Sequence, residues 1–262
     1  MNRRLALGVL LVIAAVSGAG CLDYATGGGE ITAETLDQEP PVAYQWDADA
    51  DVYIDVSSDA TFTATYNVTG VEELRLYRTS FRGLEEPTSI SAFRYQYPNG
   101  TVLSGSEFRA RGGEIEQTPD EVFVRFGEQF QGGRIGIHAN SIPKRLSLPV
   151  YVEGSHEIVL PPDRQVDFWL FGNVAPRGYE TEIENGRQHI SWDDVSSDTI
   201  LVQFYLERDL SVFAVVMTVA TAIGIGGAVY YKRRLDRLKR QRQEMGLDVE
   251  ADEPDDDSPP GS

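Results

Sequence analysis

Alternating polar and apolar residues dominate the chain between residues 42 and 206. In residues 61–68 the side chains of Phe62, Ala64, Tyr66 and Val68 fall on one face, and three threonines and an asparagine fall on the other. A period of two is typical of a β-strand. Similar runs, rich in β-branched and aromatic residues, predict strands at residues 90–97, 122–126, 146–152, 156–160, 166–171, 179–184, 187–192 and 200–206. No part of this region shows a sustained helical period.

Turn signals separate the predicted strands. Asn185-Gly186 stands between two of them, and this dipeptide is the strongest short signal for a β-hairpin. Many short strands joined by such turns predict an all-β domain at residues 42–209, built as one or two β-sandwiches. A division near residues 140–143 would give units of about 100 and 65 residues, so both arrangements stay open.

The N-terminus has the pattern of a secretory signal. Residues 1–20 carry two arginines at positions 3 and 4, continue with an apolar run and end in small residues. Cys21, the only cysteine, follows directly and resembles the lipid-modified cysteine of a lipobox, although Gly18 stands where a large aliphatic residue is usual. We expect lipidation at Cys21. The alternative is an incidental cysteine in a signal that is cleaved elsewhere.

A second apolar segment, residues 210–231, carries no charge and is long enough to span a bilayer. Seven arginines and lysines follow it between residues 232 and 242. The positive-inside rule therefore predicts a transmembrane helix with residues 232–262 in the cytoplasm and the β-domain outside, at the cell membrane. This tail is first basic, where the helix could continue as far as a stop at Gly246, and then acidic, and we expect the acidic end to be disordered.

Two further features belong to the anchoring. Residues 21–41, with three consecutive glycines and Pro40-Pro41, predict a flexible linker behind the lipid-anchor site. In the span, Ala220, Gly224 and Ala228 repeat every four residues, a spacing that lets two helices pack closely in a membrane.

The charge of the chain indicates its habitat and argues against one class of partner. The chain has 41 acidic and 23 basic residues, a net charge of −18, and Lys144 is the one lysine between residues 22 and 209. An acidic, lysine-poor surface suits very high salt, which screens self-repulsion, so we expect a halophilic protein. Such a surface also argues against nucleic acid as a partner, because phosphate binding needs clustered cations.

Candidate chemistry is sparse. His138, His156 and His189 lie far apart without the spacing of a metal motif, so we expect no metal, no cofactor and no catalytic residues. Paired acids such as Asp193-Asp194 are ordinary in so acidic a chain. Two sequons, at Asn67 and Asn99, are possible N-glycosylation sites, and Asn99 in a hairpin turn is the better candidate.

The membrane-proximal sequence carries a family resemblance. Residues 179–192, YETEIENGRQHISW, and residues 200–209, ILVQFYLERD, together with the lipobox-like end at Cys21, resemble an uncharacterised family of haloarchaeal membrane lipoproteins. The resemblance implies a salty habitat and this topology. It implies no activity and no functional residues.

These features predict a non-enzymatic, membrane-anchored surface protein. Its anchors would contact membrane lipid, and its β-domain would bind a protein partner in the envelope, as a binding module or accessory subunit. One alternative is a surface hydrolase that uses carboxylates or a metal ion, which needs acids converging in a cleft. Another is a single-span sensor that couples outer binding to the cytoplasmic tail.

Overall fold

The computed structural model describes residues 31–79 and 84–244, with side chains as far as Gln241. The chain divides into two compact units, Met1–Glu207 and Arg208–Ser262. The signal at residues 1–20, the lipidation site at Cys21 and the acidic end of the tail lie outside the described residues.

Short strands make up most of the first unit. Its described helices are α1, Ala33–Asp37, and α2, Gly105–Ala110. Its described strands, in chain order, are β1 Val52–Val56, β2 Thr61–Asn67, β3 Glu73–Thr79, β4 Glu85–Pro87, β5 Ile90–Gln96, β6 Val102–Ser104, β7 Glu114–Gln117, β8 Val122–Arg125, β9 Arg134–Asn140, β10 Arg145–Pro149, β11 Gly154–Val159, β12 Arg164–Gln165, β13 Asn173–Ala175, β14 Glu180–Glu184, β15 Arg187–Val195, β16 Thr199–Gln203 and β17 Tyr205–Leu206.

The strands form one large and three small sheets. The large sheet has the order β14-β15-β11-β1-β2-β9-β5-β6. The small sheets have the orders β4-β3-β8-β7, β10-β16-β13 and β12-β17. The pair β1–β11 is parallel, and the other strand pairs within the described residues are antiparallel. This part of the chain is therefore mostly β-sheet, as its alternating pattern predicts.

One continuous apolar core joins the sheets. Side chains from the large sheet, the four-stranded sheet and the three-stranded sheet meet in it fully buried, for example Phe62 and Ile135, Leu74 and Val124, and Leu146 and Val202 respectively. Removing these apolar side chains from water supplies most of the free energy that folds a β-domain.

The other face of the large sheet is also covered, at β2. Thr63 and Thr65 point away from the apolar core yet are buried. The segment before β1 lies over them: Thr65 Oγ1 donates to the carbonyl oxygen of Gln45 at 3.2 Å, and Tyr44 Oη donates to that of Ala92 at 2.6 Å. The Thr65 hydroxyl thus donates the hydrogen bond that a buried polar group needs.

The structure bears on one alternative that the sequence leaves open and corrects one predicted strand. The division near residues 140–143 does not separate two units, because β1 from the first part pairs with β11 from the second. Residues 166–171, predicted as a strand, instead form an irregular segment and a turn. In this apolar run the rings of Phe168 and Phe171 pack inward against Tyr205. Alternation alone does not distinguish that arrangement from a strand.

The expectation of a flexible linker up to residue 41 is wrong for its second half. Leu36, in α1, is fully buried and lies so close to Gly105 that a β-carbon on that glycine would clash with it at 2.6 Å. Asp37 accepts a hydrogen bond from the backbone nitrogen of Ser106 at 2.8 Å. Arg94 donates to the carbonyl oxygens of Leu36 and Asp37 at the end of α1. Helix α1 is therefore part of the domain.

Helix α3, Glu207–Glu244, begins at the last residue of the first unit and makes up the described part of the second unit. Within the described residues it is the one helix that is long and apolar enough to cross a membrane. Ala220, Gly224 and Ala228 lie on it with exposed surfaces, and no other atom lies within 4 Å of where a β-carbon on Gly224 would stand.

The packing of α1 predicts a measurable contribution to stability. We expect Leu36→Ala in the full-length chain to lower the free energy of unfolding by about 2–5 kcal/mol, because it removes a buried side chain and leaves a cavity. Glu39→Ala, an exposed position just beyond α1, is the matched control and should change little. Denaturant titrations in molar salt measure both. Equal stability of the two variants would mean that α1 is not held on the domain.

Candidate functional site

A groove lies between the four-stranded and the three-stranded sheet. It has a volume of about 860 Å³ and is lined on one side by residues 78–79, 86 and 88–89, and on the other by residues 140–142, 145–149 and 199. This size suits a small ligand or a short extended peptide. Because β10 forms its second wall, we call it the β10 groove.

The β10 groove is bordered by an open strand edge. β10 is an outer strand of its sheet and pairs with β16 alone among the described strands. An outer strand presents a row of backbone N–H and C=O groups on its free side, ready to pair with another chain. Pro149, which has no N–H, ends the strand, as prolines at sheet edges commonly do.

One wall carries a cross-strand ion pair. Arg78 on β3 lies opposite Glu86 on β4, and its Nη2 is 2.9 Å from Glu86 Oε2. The Nε atom of Arg78 is buried and has no hydrogen-bond partner among the described residues. A buried donor without an acceptor costs free energy, so an acceptor that enters the groove beside Arg78 would relieve this cost.

The opposite wall carries Arg145 at the start of β10. Its side chain is exposed, and the described residues offer it no hydrogen-bond or ion-pair partner. Since Glu86 is paired with Arg78, Arg145 leaves the described lining with one excess positive charge. Ile142, which is 48% exposed, adds an apolar surface to the same wall. The groove thus combines a cation, an apolar contact and a free backbone edge.

Thr88 lines the floor of the β10 groove, and Tyr151 supports it from below. Thr88 is buried, and its Oγ1 lies 3.2 Å from the hydroxyl of Tyr151. That hydroxyl donates to the carbonyl oxygen of Tyr77 on β3, and the Tyr151 ring packs edge-on against Tyr66 of the large sheet. Burial raises the pKa of Tyr151 well above its ordinary value, so the hydroxyl stays a donor at any physiological pH. The floor is therefore fixed before a ligand binds.

The three histidines do not meet. His138 Nδ1 lies 3.0 Å from Ser91 Oγ on the neighbouring strand, and His189 Nδ1 lies 2.7 Å from Glu157 Oε1. His156 is buried beside a small void of about 10 Å³, which has room for about one water molecule. In residues 31–79 and 84–244, no three or more His, Cys, Asp or Glu side chains are grouped so that they could hold a metal ion.

The two sequons differ in geometry. Asn67 Nδ2, the atom that would carry a glycan, donates to Asp51 Oδ1 at 3.0 Å. Asn99 is exposed in the turn between β5 and β6, where its Oδ1 accepts from the backbone nitrogen of Thr101 at 3.0 Å. The amide nitrogen of Asn99 is thus better presented than that of Asn67. Glycosylation at either residue stays a prediction.

Arg78 and Arg145 were not singled out by the sequence. Isolated arginines are scattered through the acidic domain, and only the pairing of β3 with β4 and the position of β10 place these two on facing walls. The scarcity of lysine is the one relevant signal, because it makes each unpaired arginine a larger share of the positive charge.

Comparison with known proteins identifies a family. The model of a family of unknown function (DUF5803) matches residues 48–250, which includes the whole β10 groove and the apolar part of α3. No curated protein matches the chain.

Buried His156 predicts a loss of stability in acid. Burial lowers its pKa below the ordinary value of 6.5, although its Nδ1 lies 2.9 Å from the carbonyl oxygen of Gly154. The unfolded chain therefore binds this proton more readily, and the free energy of unfolding should fall as pH drops below about 6.5. In His156→Gln that pH slope should be smaller. Thermal melts of both proteins from pH 8 to pH 5 in constant molar salt test this; identical slopes would contradict it.

Proposed function

The chain belongs to DUF5803, a family of unknown function, and we propose that it is a single-span surface protein whose outer domain binds, without catalysis, an extended, carboxylate-bearing segment of another envelope protein. The observation that carries the proposal is the β10 groove, with an open strand edge on one wall and an unpaired arginine beside it.

The open edge of β10 supports an extended polypeptide as the occupant. A strand that adds to a sheet edge gains backbone hydrogen bonds along its whole length, and neighbouring pockets then select among its side chains. On the free side of β10 only alternate residues present such groups. The backbone nitrogen of Arg145 already donates to the carbonyl oxygen of Ile142, and Pro149 has no N–H. The edge therefore offers the N–H of Ser147 and the outward carbonyl oxygens. The groove lies between two sheets, which restricts access to one chain at a time and protects the edge from aggregation.

The charge of the groove supports a carboxylate on that segment. The protein as a whole is strongly acidic, yet the described lining of the groove holds two arginines and one glutamate. A carboxylate next to Arg145 would form the charge-assisted hydrogen bonds that guanidinium groups favour. At molar salt the long-range attraction is screened, so the arginine acts at contact distance and the backbone pairing supplies the rest.

The same lining supports binding over hydrolysis. Carboxylate-dependent hydrolysis needs two acids at a set separation across a cleft. Glu86 is the one carboxylate in the described lining of the β10 groove, and it is paired with Arg78. A nucleophilic mechanism would instead need a serine or cysteine beside a base, and the described lining contains no histidine or cysteine.

The proposed anchoring follows from α3 and the charges around it. We place residues 210–231 in the membrane, the basic residues 232–242 on the cytoplasmic side and the β-domain outside, in a halophilic cell. A lipid on Cys21 would add a second tether. The outer domain is then a single β-module presented at the cell surface.

Cysteine labelling tests the orientation. A membrane-impermeant maleimide should label Glu182→Cys, an exposed position of β14, in intact cells. It should label Asp236→Cys, beyond the span, only after lysis. The wild-type chain is the control for Cys21 and should remain unlabelled if that thiol is acylated. Labelling of Asp236→Cys in intact cells would reverse the proposed topology.

A charge reversal tests the groove. We expect Arg145→Glu to lower the amount of partner recovered with the full-length protein about tenfold, because the new carboxylate repels the carboxylate of the bound segment. The matched control is Arg177→Glu, which makes the same charge change at an exposed position between β13 and β14. The measurement is crosslinking in cells at native salt, followed by purification and quantitative mass spectrometry.

The two variants separate a groove effect from a general charge effect. Equal loss in Arg145→Glu and Arg177→Glu would show that overall charge governs the interaction. Unchanged recovery in both would remove the β10 groove from the proposal.

A further inference from the structure

A turn between β12 and β13 exposes two large apolar side chains. Trp169 is 81% exposed and Leu170 is 44% exposed. The flanking residues Phe168 and Phe171 are half-buried instead, with their rings packed against Tyr205 of β17. A tryptophan that protrudes from an acidic surface is unusual, because proteins seldom expose large apolar groups without a partner.

Hydrogen bonds within the turn fix its backbone. The backbone nitrogens of Phe171 and Gly172 both donate to the carbonyl oxygen of Phe168, at 3.0 and 2.7 Å. At Gly172 a β-carbon would stand 1.9 Å from the carbonyl oxygen of Val166, so only glycine fits. The exposure of Trp169 is therefore a consequence of a defined backbone and not of a loose loop.

Hydrogen bonds also fix the base of the turn. Gln188, which is 2% exposed, accepts from the backbone nitrogen of Val166 at 2.9 Å and donates to the carboxylate of Asp167 at 3.1 Å. The Tyr205 hydroxyl accepts from the backbone nitrogen of Phe168 at 3.2 Å. Gln203 donates to the carbonyl oxygen of Phe171 at 3.2 Å. The strands β15, β16 and β17 thus hold the turn from below.

The short chain between this turn and the apolar segment limits the distance between them. Tyr205, on which the turn is built, is followed by four residues before the apolar segment begins at Leu210. Even a fully extended chain covers only about 17 Å over that distance. If residues 210–231 span the bilayer, as the proposed function states, the base of the turn lies within this distance of the bilayer boundary.

We propose that Trp169 and Leu170 insert into the outer interfacial layer of the lipid bilayer beside the chain's own span. Tryptophan favours this layer because its ring is apolar and its indole N–H can still bond to water or a headgroup. A rigid turn loses little conformational entropy on insertion. The turn then forms a second contact with the membrane, which limits how the outer domain tilts on the single helix.

Quenching by brominated lipids tests the insertion. The full-length protein is reconstituted in phosphatidylcholine vesicles, with or without bromine on the upper part of the acyl chains, in molar salt. We expect brominated lipid to quench the wild-type emission and the quenched amplitude to be about threefold smaller in Trp169→Phe. Trp46→Phe is the matched control: Trp46 packs against Tyr44 on the large sheet, and its loss should leave the quenched amplitude unchanged.

Flotation of the same vesicles separates this inference from the proposed function on which it rests. Protein that floats with the vesicles but is quenched equally in wild type and Trp169→Phe overturns the insertion and leaves the membrane span intact. Protein that does not float overturns the span, and the insertion with it. Loss of quenching in Trp46→Phe alone would place the lipid contact at the wrong tryptophan and also overturn the inference.

Discussion

The parallel pairing of β1 with β11 is the constraint on which the β-domain depends. It joins Val52–Val56 to a strand about a hundred residues later, and it lies in the middle of the large sheet. A parallel pair needs a long connection, and closing that connection costs entropy, so the contact must be well specified. Asp51 provides part of that specification: its carboxylate accepts from the backbone nitrogen of Ser155 at 3.1 Å and from Asn67 Nδ2 at 3.0 Å. Asp51 thus ties the start of β1 to β11 and β2, and the two halves of the chain become one domain.

Both surfaces to which we assign a role depend on this joining. The β10 groove takes Arg78 from the first half of the chain and Arg145 from the second, so neither half could form it alone. The turn that carries Trp169 rests on Gln188 in β15, which pairs with β11. Because the β-domain is one compact unit, its final strand, its groove and its turn keep fixed positions relative to one another. In the proposed topology the groove faces a partner while the turn contacts lipid, and a single rigid body holds both.

Sequence patterns predict several of the strands, although they leave out β1, β3 and β9, and they predict the long-range structure poorly. The hairpin at Asn185-Gly186 forms between β14 and β15, because that dipeptide adopts the turn through local backbone preferences. The run at residues 166–171 misled the prediction, because an apolar run does not reveal that Gly172 closes a turn behind it. The sequence predicts a flexible linker around Leu36, since one leucine among glycines, acids and prolines carries no periodicity. The groove could not be predicted, because Arg78 and Arg145 face each other only through strand pairings that are distant in sequence.

The central claim is that the open edge of β10 receives another chain, and site-specific photo-crosslinking tests it most directly. A photoreactive residue is placed at Ser147, inside the β10 groove, or at Ser191, an exposed position on β15. The full-length protein is irradiated in cells at native salt, and the crosslinked peptides are sequenced by mass spectrometry. The account predicts that Ser147 yields one recurring carboxylate-bearing segment of an envelope protein, which is absent from Ser191. The same set of adducts at both positions, or no protein adduct at Ser147, would contradict it.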